Sequence, residues 1–364
     1  MSLQVSYKKQ FLLLLMGILI ILSVLEISSR LYEIFNPECF FLNSDATKKI
    51  DFELRKKICE QSELVKTSEY PVFQYIPNQN LDTININSYG FRGEDFALEK
   101  NPEKYRIFMV GGSTTFGSGS TSDKNTIPYL LEKIFIENDY NVEVINAGVG
   151  AADSREEAYK IRNMYKIYQP DLFLIYDGWN DSFKKLNPSE INPNVGRSEE
   201  INLMKSPLQL WISDNLSFYR TLYVIYPYIN HFLISLSLNE KVFESNAEIW
   251  SQRWSDLCFE NNLEGIETII LLQPVVGTGD KELSRDEEYH AQYIKGIKTR
   301  EQLDYFSKYL PIQNCTASFD IRDSVDDTLE PVYYDGGHMV DLGNQLVADK
   351  IYMKIEPVLR NKIN

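Results

Sequence analysis

The sequence predicts an α/β fold: a parallel sheet with helices on both faces, behind one apolar helix near the N-terminus. Two observations carry this. From residue 105 onward, apolar runs of five or six residues alternate with longer stretches whose apolar positions recur at helical spacing. Strand, helix, strand repeated in this way gives parallel pairing. Ahead of them, Phe11–Leu25 (FLLLLMGILIILSVL) carries no charge and directly follows Lys8 and Lys9.

The apolar run is 15 residues, below the about 20 that a spanning helix needs. It lengthens if Val5–Tyr7 or Glu26–Leu31 enters the interfacial layers. Lysines before an apolar start favour N-in orientation, with the remainder exported. A cleaved signal peptide is the alternative. No A-x-A site follows, however, and EISSRLYEIF continues a helical pattern. The expectation is an uncleaved signal anchor over residues 1–35, crossing the membrane through residues 11–31.

Residues 36–104 are polar and mixed, and read as a membrane-proximal segment leading into the domain; Lys48–Lys66 suits a solvated helix. The alternation then starts. Tyr105–Val110 (YRIFMV) reads as a buried strand ending in Gly-Gly, and residues 126–138 as a helix. Asn141–Asn146 (NVEVIN) is a second strand. Ser154–Tyr168 is a helix that Ser154 can cap, with acids following it. Asp171–Tyr176 (DLFLIY) is a third strand, residues 247–262 a helix, and Glu267–Leu272 (ETIILL) a fourth strand. Residues 282–310 are helical in period, Ala317–Ile321 is a weaker fifth strand, and residues 342–359 form a closing helix. These elements define a three-layer α/β/α, flavodoxin-like domain over residues 105–364, with a parallel five-stranded sheet. Residues 182–245 interrupt it with an aromatic-rich insertion (Trp211, Phe218, Tyr219, Tyr223, Tyr226, Tyr228, Phe232), which suits a substrate wall or a helical pair packing on the sheet.

Composition narrows the function. Hydrophobic residues at 43% and charged residues at 24% exclude a disordered chain. With 37 Lys plus Arg against 52 Asp plus Glu, the net charge of −15 argues against nucleic acid as a partner, because phosphates are repelled. Four cysteines (Cys39, Cys59, Cys258, Cys315) fit no CxxC metal pattern. Outside the cytoplasm they can pair as Cys39–Cys59 and Cys258–Cys315; otherwise they are free thiols. Only His231, His290 and His338 can serve a histidine-based mechanism.

In such a sheet the ligand crevice lies at the carboxyl ends of the strands. Four unusual polar loops fall there. GGSTTFGSGS (111–120) follows the first strand and sets Ser113 among glycines, where the backbone turns sharply and exposes the hydroxyl. It lacks both the P-loop and the G-x-S-x-G patterns. NAGVGAADS (146–154) follows the second strand and offers backbone N–H groups among small residues. YDGWND (176–181) follows the third and carries the Asn180 amide; Asp181 could orient that amide or cap a turn. YYDGGH near the C-terminus places Asp335 three residues before His338, a spacing that lets the carboxylate fix the imidazole tautomer while the other ring nitrogen faces Ser113. Each loop alone also reads as an ordinary turn, and D-x-x-H alone as half of a metal site short of further ligands.

Taken together, GGST, NAGVGA, GWND and DGGH resemble the motif blocks of the SGNH, or GDSL-type, serine hydrolases, over roughly residues 105–359. NSYGFRG (87–93) also looks like a segment found upstream of such domains in exported members. The resemblance implies Ser113 as nucleophile, His338 as general base and Asp335 as its orienting partner. The oxyanion hole would comprise the Ser113 N–H, an N–H at Gly150 or Ala151, and the Asn180 side chain. Two departures stand out. The first block reads Gly-Gly-Ser rather than Gly-Asp-Ser, and Ala151 occupies the place of a glycine. The implied activity is cleavage of O-acyl esters, O-acetyl among them, with no metal or organic cofactor. The substrate is an acyl ester, with acylated glycan and lipid both open. O-acyltransfer to a cell-surface glycan by the same residues, and a non-catalytic binding module, are the alternatives.

Overall fold

A computed structural model describes residues 6–35, 39–68, 72–189, 216–218 and 237–363. It divides into two compact units, Met1–Cys39 with Asn202–His231, and Phe40–Ile201 with Phe232–Asn364. In the first, helix α1 (Tyr7–Phe35) contains a 26-residue stretch, Tyr7–Tyr32, of mean hydropathy 2.7. It is long and apolar enough to cross a membrane. Glu26 accepts the N–H groups of Ser217 and Phe218 at 3.0 and 2.9 Å. Of the insertion, Trp211, Tyr219, Tyr223, Tyr226, Tyr228 and Phe232 lie outside the described residues.

The second unit holds the sheet. Its strands are β1 (Tyr105–Gly111), β2 (Val142–Gly148), β3 (Leu172–Asp177), β4 (Glu267–Leu272) and β5 (Ala317–Asp320), all parallel in the order β2-β1-β3-β4-β5. This is the flavodoxin-like order. The helices are α2 (Phe52–Leu64), α3 (Ser113–Phe116), α4 (Ile127–Glu137), α5 (Ser154–Lys160), α6 (Trp179–Ser182), α7 (Glu240–Leu263), α8 (Arg285–Gln292), α9 (Ile294–Ser307) and α10 (Asp341–Ile363).

Strand side chains point alternately to the two faces. Ile107 and Met109 of β1 join α4 and α10 in one core; Phe108 and Val110 join α5, α7 and α9 in the other. Both faces are covered, so β1–β4 are apolar almost throughout rather than alternating. The Cys258–Cys315 disulfide ties α7 to the turn before β5, and none of the four cysteines is free.

Two local expectations differ. The helical stretch 282–310 is two helices, α8 and α9, broken at Tyr293, whose ψ of 143° is extended. A Cβ on Gly296 would stand 2.4 Å from the His290 carbonyl oxygen, so glycine lets α9 start this close to α8. Asp153, not Ser154, caps α5, its carboxylate accepting from Arg155 and Glu156 N–H. Ser154 is fully buried, because Asp181 takes both its N–H and its hydroxyl, at 2.8 and 2.6 Å.

Residues 40–104 belong to the same unit as the sheet. Two short antiparallel pairs occur there, Thr67–Ser68 with Gln74–Tyr75 and Gln79–Asn80 with Asn85–Ile86. Tyr75, Ile84 and Ile86 pack with Phe116, Val149 and Ala152 in a third, small core.

Candidate active site

In a sheet of this order the chain steps from β1 out to β2 and then returns past β1 to β3 on its other side, so a crevice opens at the carboxyl ends where the direction reverses. Ser113 follows β1 and Asn180 follows β3. The turn after β1 needs glycine: a Cβ on Gly111 would stand 2.5 Å from the Tyr176 carbonyl, and one on Gly148 only 2.1 Å from the Phe116 nitrogen. These approaches let the backbone turn at once from strand into α3. Ser113 is the first residue of that helix, behind a glycine N-cap with no side-chain cap. Its N–H therefore has no intrahelical acceptor.

Across 225 residues of sequence, Ser113 Oγ lies 2.7 Å from His338 Nε2, and His338 Nδ1 lies 2.6 Å from Asp335 Oδ2. The other carboxylate oxygen, Oδ1, accepts the N–H groups of Gly337 and His338 at 2.9 and 2.8 Å. Burial pushes the Asp335 carboxyl up, but the adjacent His338 ring, its hydrogen bond and these two N–H groups outweigh burial and hold it below the usual carboxylate range. An ionised Asp335 only accepts, so Nδ1 is the donor and the neutral ring turns a lone pair on Nε2 toward the Ser113 hydroxyl.

Two aromatic rings fix the imidazole. Tyr334 stacks on it at 5.6 Å and 11°, and Trp179 meets it edge-on at 4.8 Å and 77°. A Cβ on Gly337 would stand 2.7 Å from the Trp179 ring, so the second glycine of DGGH makes room for the indole.

The donor side is built from the second and third loops. Asn180 Nδ2 donates to the Ala152 carbonyl at 2.7 Å. A Cβ on Gly112 would stand 2.5 Å from that same nitrogen, so the amide lies against the residue preceding Ser113. One amide hydrogen is engaged by Ala152; an NH₂ group carries a second. Val149, Gly150, Ala151 and Ala152 form a turn closed by Ala152 N–H on the Val149 carbonyl at 3.1 Å. Ala151 is exposed at φ 56°, a left-handed value that explains why glycine suits the position. Gly150 N–H donates to the Tyr75 hydroxyl at 3.1 Å. Asp181 does not orient Asn180; it holds Ser154, as above, and so ties the third loop to the second.

Sequence reasoning missed three neighbours: Tyr75, Trp179 and Arg92. The Arg92 guanidinium donates to the Phe116 and Gly117 carbonyls at 3.1 and 2.8 Å and pairs with Asp123 at 2.7 Å. It caps the carboxyl end of α3 with positive charge, where the helix dipole favours it. The NSYGFRG motif was the available signal, since it contains Arg92.

Solved structures similar to this chain include a lipase/acylhydrolase from Enterococcus faecalis, 14% identical, covering 70% of this chain and 96% of that one at a TM-score of 0.42. An acetylxylan esterase from Geobacillus stearothermophilus is 12% identical, covering 69% and 94% at 0.41. A psychrotrophic esterase from Pseudoalteromonas sp. is 12% identical, covering 70% and 99% at 0.39. No protein-family model and no curated protein matches the chain.

Proposed function

We propose that this chain is a membrane-anchored, extracytoplasmic serine hydrolase that cleaves O-acyl esters. The observation that carries the reading is the continuous hydrogen-bonded line from Ser113 through His338 to Asp335, at 2.7 and 2.6 Å. Ser113 Oγ attacks the ester carbonyl carbon and its proton passes to His338 Nε2. Asp335 stabilises the imidazolium so formed. The carbonyl oxygen becomes an oxyanion, held by the Ser113 N–H and the second hydrogen of the Asn180 amide; the Gly150 N–H, expected to help, is engaged by the Tyr75 hydroxyl instead. Collapse breaks the ester C–O bond. The alcohol leaves with the proton from Nε2 and the acyl group stays on Ser113. Water, deprotonated by His338, then attacks that acyl-enzyme and releases the carboxylic acid and the free serine.

Location has two supports. The apolar helix α1 begins beside Lys8 and Lys9, which favours export of the chain beyond it. The Cys258–Cys315 disulfide suits an oxidising compartment. An enzyme so placed meets acylated glycans and lipids of the cell surface.

The reading is tested by a turnover screen of acetyl and longer-chain esters on the full-length chain in detergent, with Ser113→Ala and His338→Ala beside it. Hydrolysis lost to a similar residual rate in both variants is the expected result, because the two groups act as one unit. Acyl transfer to a sugar hydroxyl with little hydrolysis would replace hydrolase by transferase. Equal rates in all three proteins would end the reading.

A further inference from the structure

Tyr75 lies outside the sheet, in the two-residue strand Gln74–Tyr75, yet it touches two of the four loops. Its ring stacks on Phe116 with centroids 4.4 Å apart and planes at 25°. Phe116 is the last residue of α3, the helix that begins with Ser113. Its hydroxyl oxygen accepts the Gly150 N–H at 3.1 Å. The side chain is only 8% exposed. The 149–152 turn is thus held at both ends: Tyr75 grips Gly150, and Asn180 grips the Ala152 carbonyl at 2.7 Å.

Gly150 is the soft point of that turn. Without a Cβ it samples both halves of φ space, so an unanchored Val149–Gly150 peptide lets the next amide swing. Val149, on the other side, is already pinned by its N–H to the Gly111 carbonyl at 2.9 Å. The only described contact that fixes the Gly150 N–H comes from Tyr75.

We propose that Tyr75 is a positioning residue of the acyl site: through the Gly150 amide it sets the orientation of the 149–152 turn relative to Ser113. The proposal rests on the esterase reading above and extends it to residues upstream of the sheet. Burial pushes the Tyr75 hydroxyl up to about 12, against smaller opposing effects of the Gly150 N–H and the Arg92 charge. The hydroxyl thus stays protonated through turnover and acts by accepting the Gly150 N–H, not by giving up its proton. The same side chain links turn and nucleophile helix, so the two move as one body.

The test is Tyr75→Phe in the full-length chain. The substitution keeps the ring on Phe116 and deletes only the acceptor. The expected result is a kcat for p-nitrophenyl acetate lowered about tenfold, the usual scale of one lost hydrogen bond. KM stays within about twofold, the melting temperature changes little, and fluorophosphonate labelling slows by the same factor as kcat. Hydrogen exchange in the peptide spanning residues 146–153 becomes faster. An unchanged kcat, or a loss that appears only in KM or only alongside lost stability, overturns the proposal. If the wild-type chain neither turns over nor labels, the esterase reading fails instead. Exchange in that peptide then decides the anchor alone: faster in Tyr75→Phe retains it, unchanged removes it.

Discussion

The two ends of the central sheet handle buried polar groups in opposite ways. At the amino ends of the strands, Arg106 is 1% exposed and all three of its guanidinium nitrogens are engaged. Its guanidinium donates to Glu143 at 3.0 Å and to the carbonyls of Leu98, Tyr168 and Ala97 at 3.2, 2.6 and 2.8 Å. At the carboxyl ends, donors are left over. The Ser113 N–H opens an uncapped helix and the Asn180 amide has one hydrogen beyond the one given to Ala152. A satisfied network holds a fold together, whereas unspent donors beside Ser113 suit the negative charge that develops in the proposed reaction. On the proposed reading, stability and chemistry are separated along one set of strands.

That separation can be broken in ways that differ in kind. The largest effect belongs to His338→Ala, which should lower ester hydrolysis on the order of 10⁶-fold while the melting temperature barely moves. Steady-state kinetics and a thermal scan on the same sample check both halves. At the opposite end, Arg106→Met leaves Glu143 buried without its partner and should cost about 3–5 kcal/mol of stability. The activity of the molecules that remain folded should be unchanged, which denaturant midpoints and active-site titration together would reveal. Asn180→Ala returns to the chemical end: a kcat loss of about 10²–10³ is expected, since it removes one oxyanion donor. A change confined to KM would instead make Asn180 a binding residue.

A subtler contrast lies behind the third loop. Glu157 is fully buried, with no hydrogen-bond partner for either carboxylate oxygen, close to Asp177, Asp181 and Asp153. Burial first, and then these neighbouring charges, push its carboxyl well above the usual 4.5. The sign is fixed by which state holds the proton. Above the ordinary carboxylate range the unfolded chain has released it while the folded chain still holds it, so stability falls as pH rises toward the raised value. Glu157→Gln removes that slope. The variant should gain on wild type in urea midpoint from about pH 5 upward, and parallel curves would contradict the assignment.

How far the sequence announced this arrangement depends on the signal each part leaves. The strands β1–β4 were legible to within a residue or two because burial on both faces makes each a nearly unbroken apolar run. The positions of the first three loops came from the strands, since each begins where an apolar run stops; the fourth lies well beyond the end of β5 at Asp320 and was marked by its Asp335–His338 spacing. Tyr75 left no such trace, since a two-residue strand in a polar stretch has no period to read and its partner Gly150 lies 75 residues away; Arg92 was marked only by the NSYGFRG motif, its partner Phe116 lying 24 residues away. Asp153 displaced Ser154 as the cap for a tertiary reason. Asp181, a residue of another loop, claimed the serine first. The break between α8 and α9 was marked only by Gly296, which in a helical pattern is easily passed over.

The central claim is that Ser113 is the attacking group and that His338 makes it so. Mass-spectrometric mapping of the residue phosphonylated by a fluorophosphonate probe tests it most directly. The account predicts one adduct, on the peptide containing Ser113, formed many times more slowly in His338→Ala and absent in Ser113→Ala. An adduct on any other residue, or labelling at Ser113 that proceeds equally fast without His338, would contradict it.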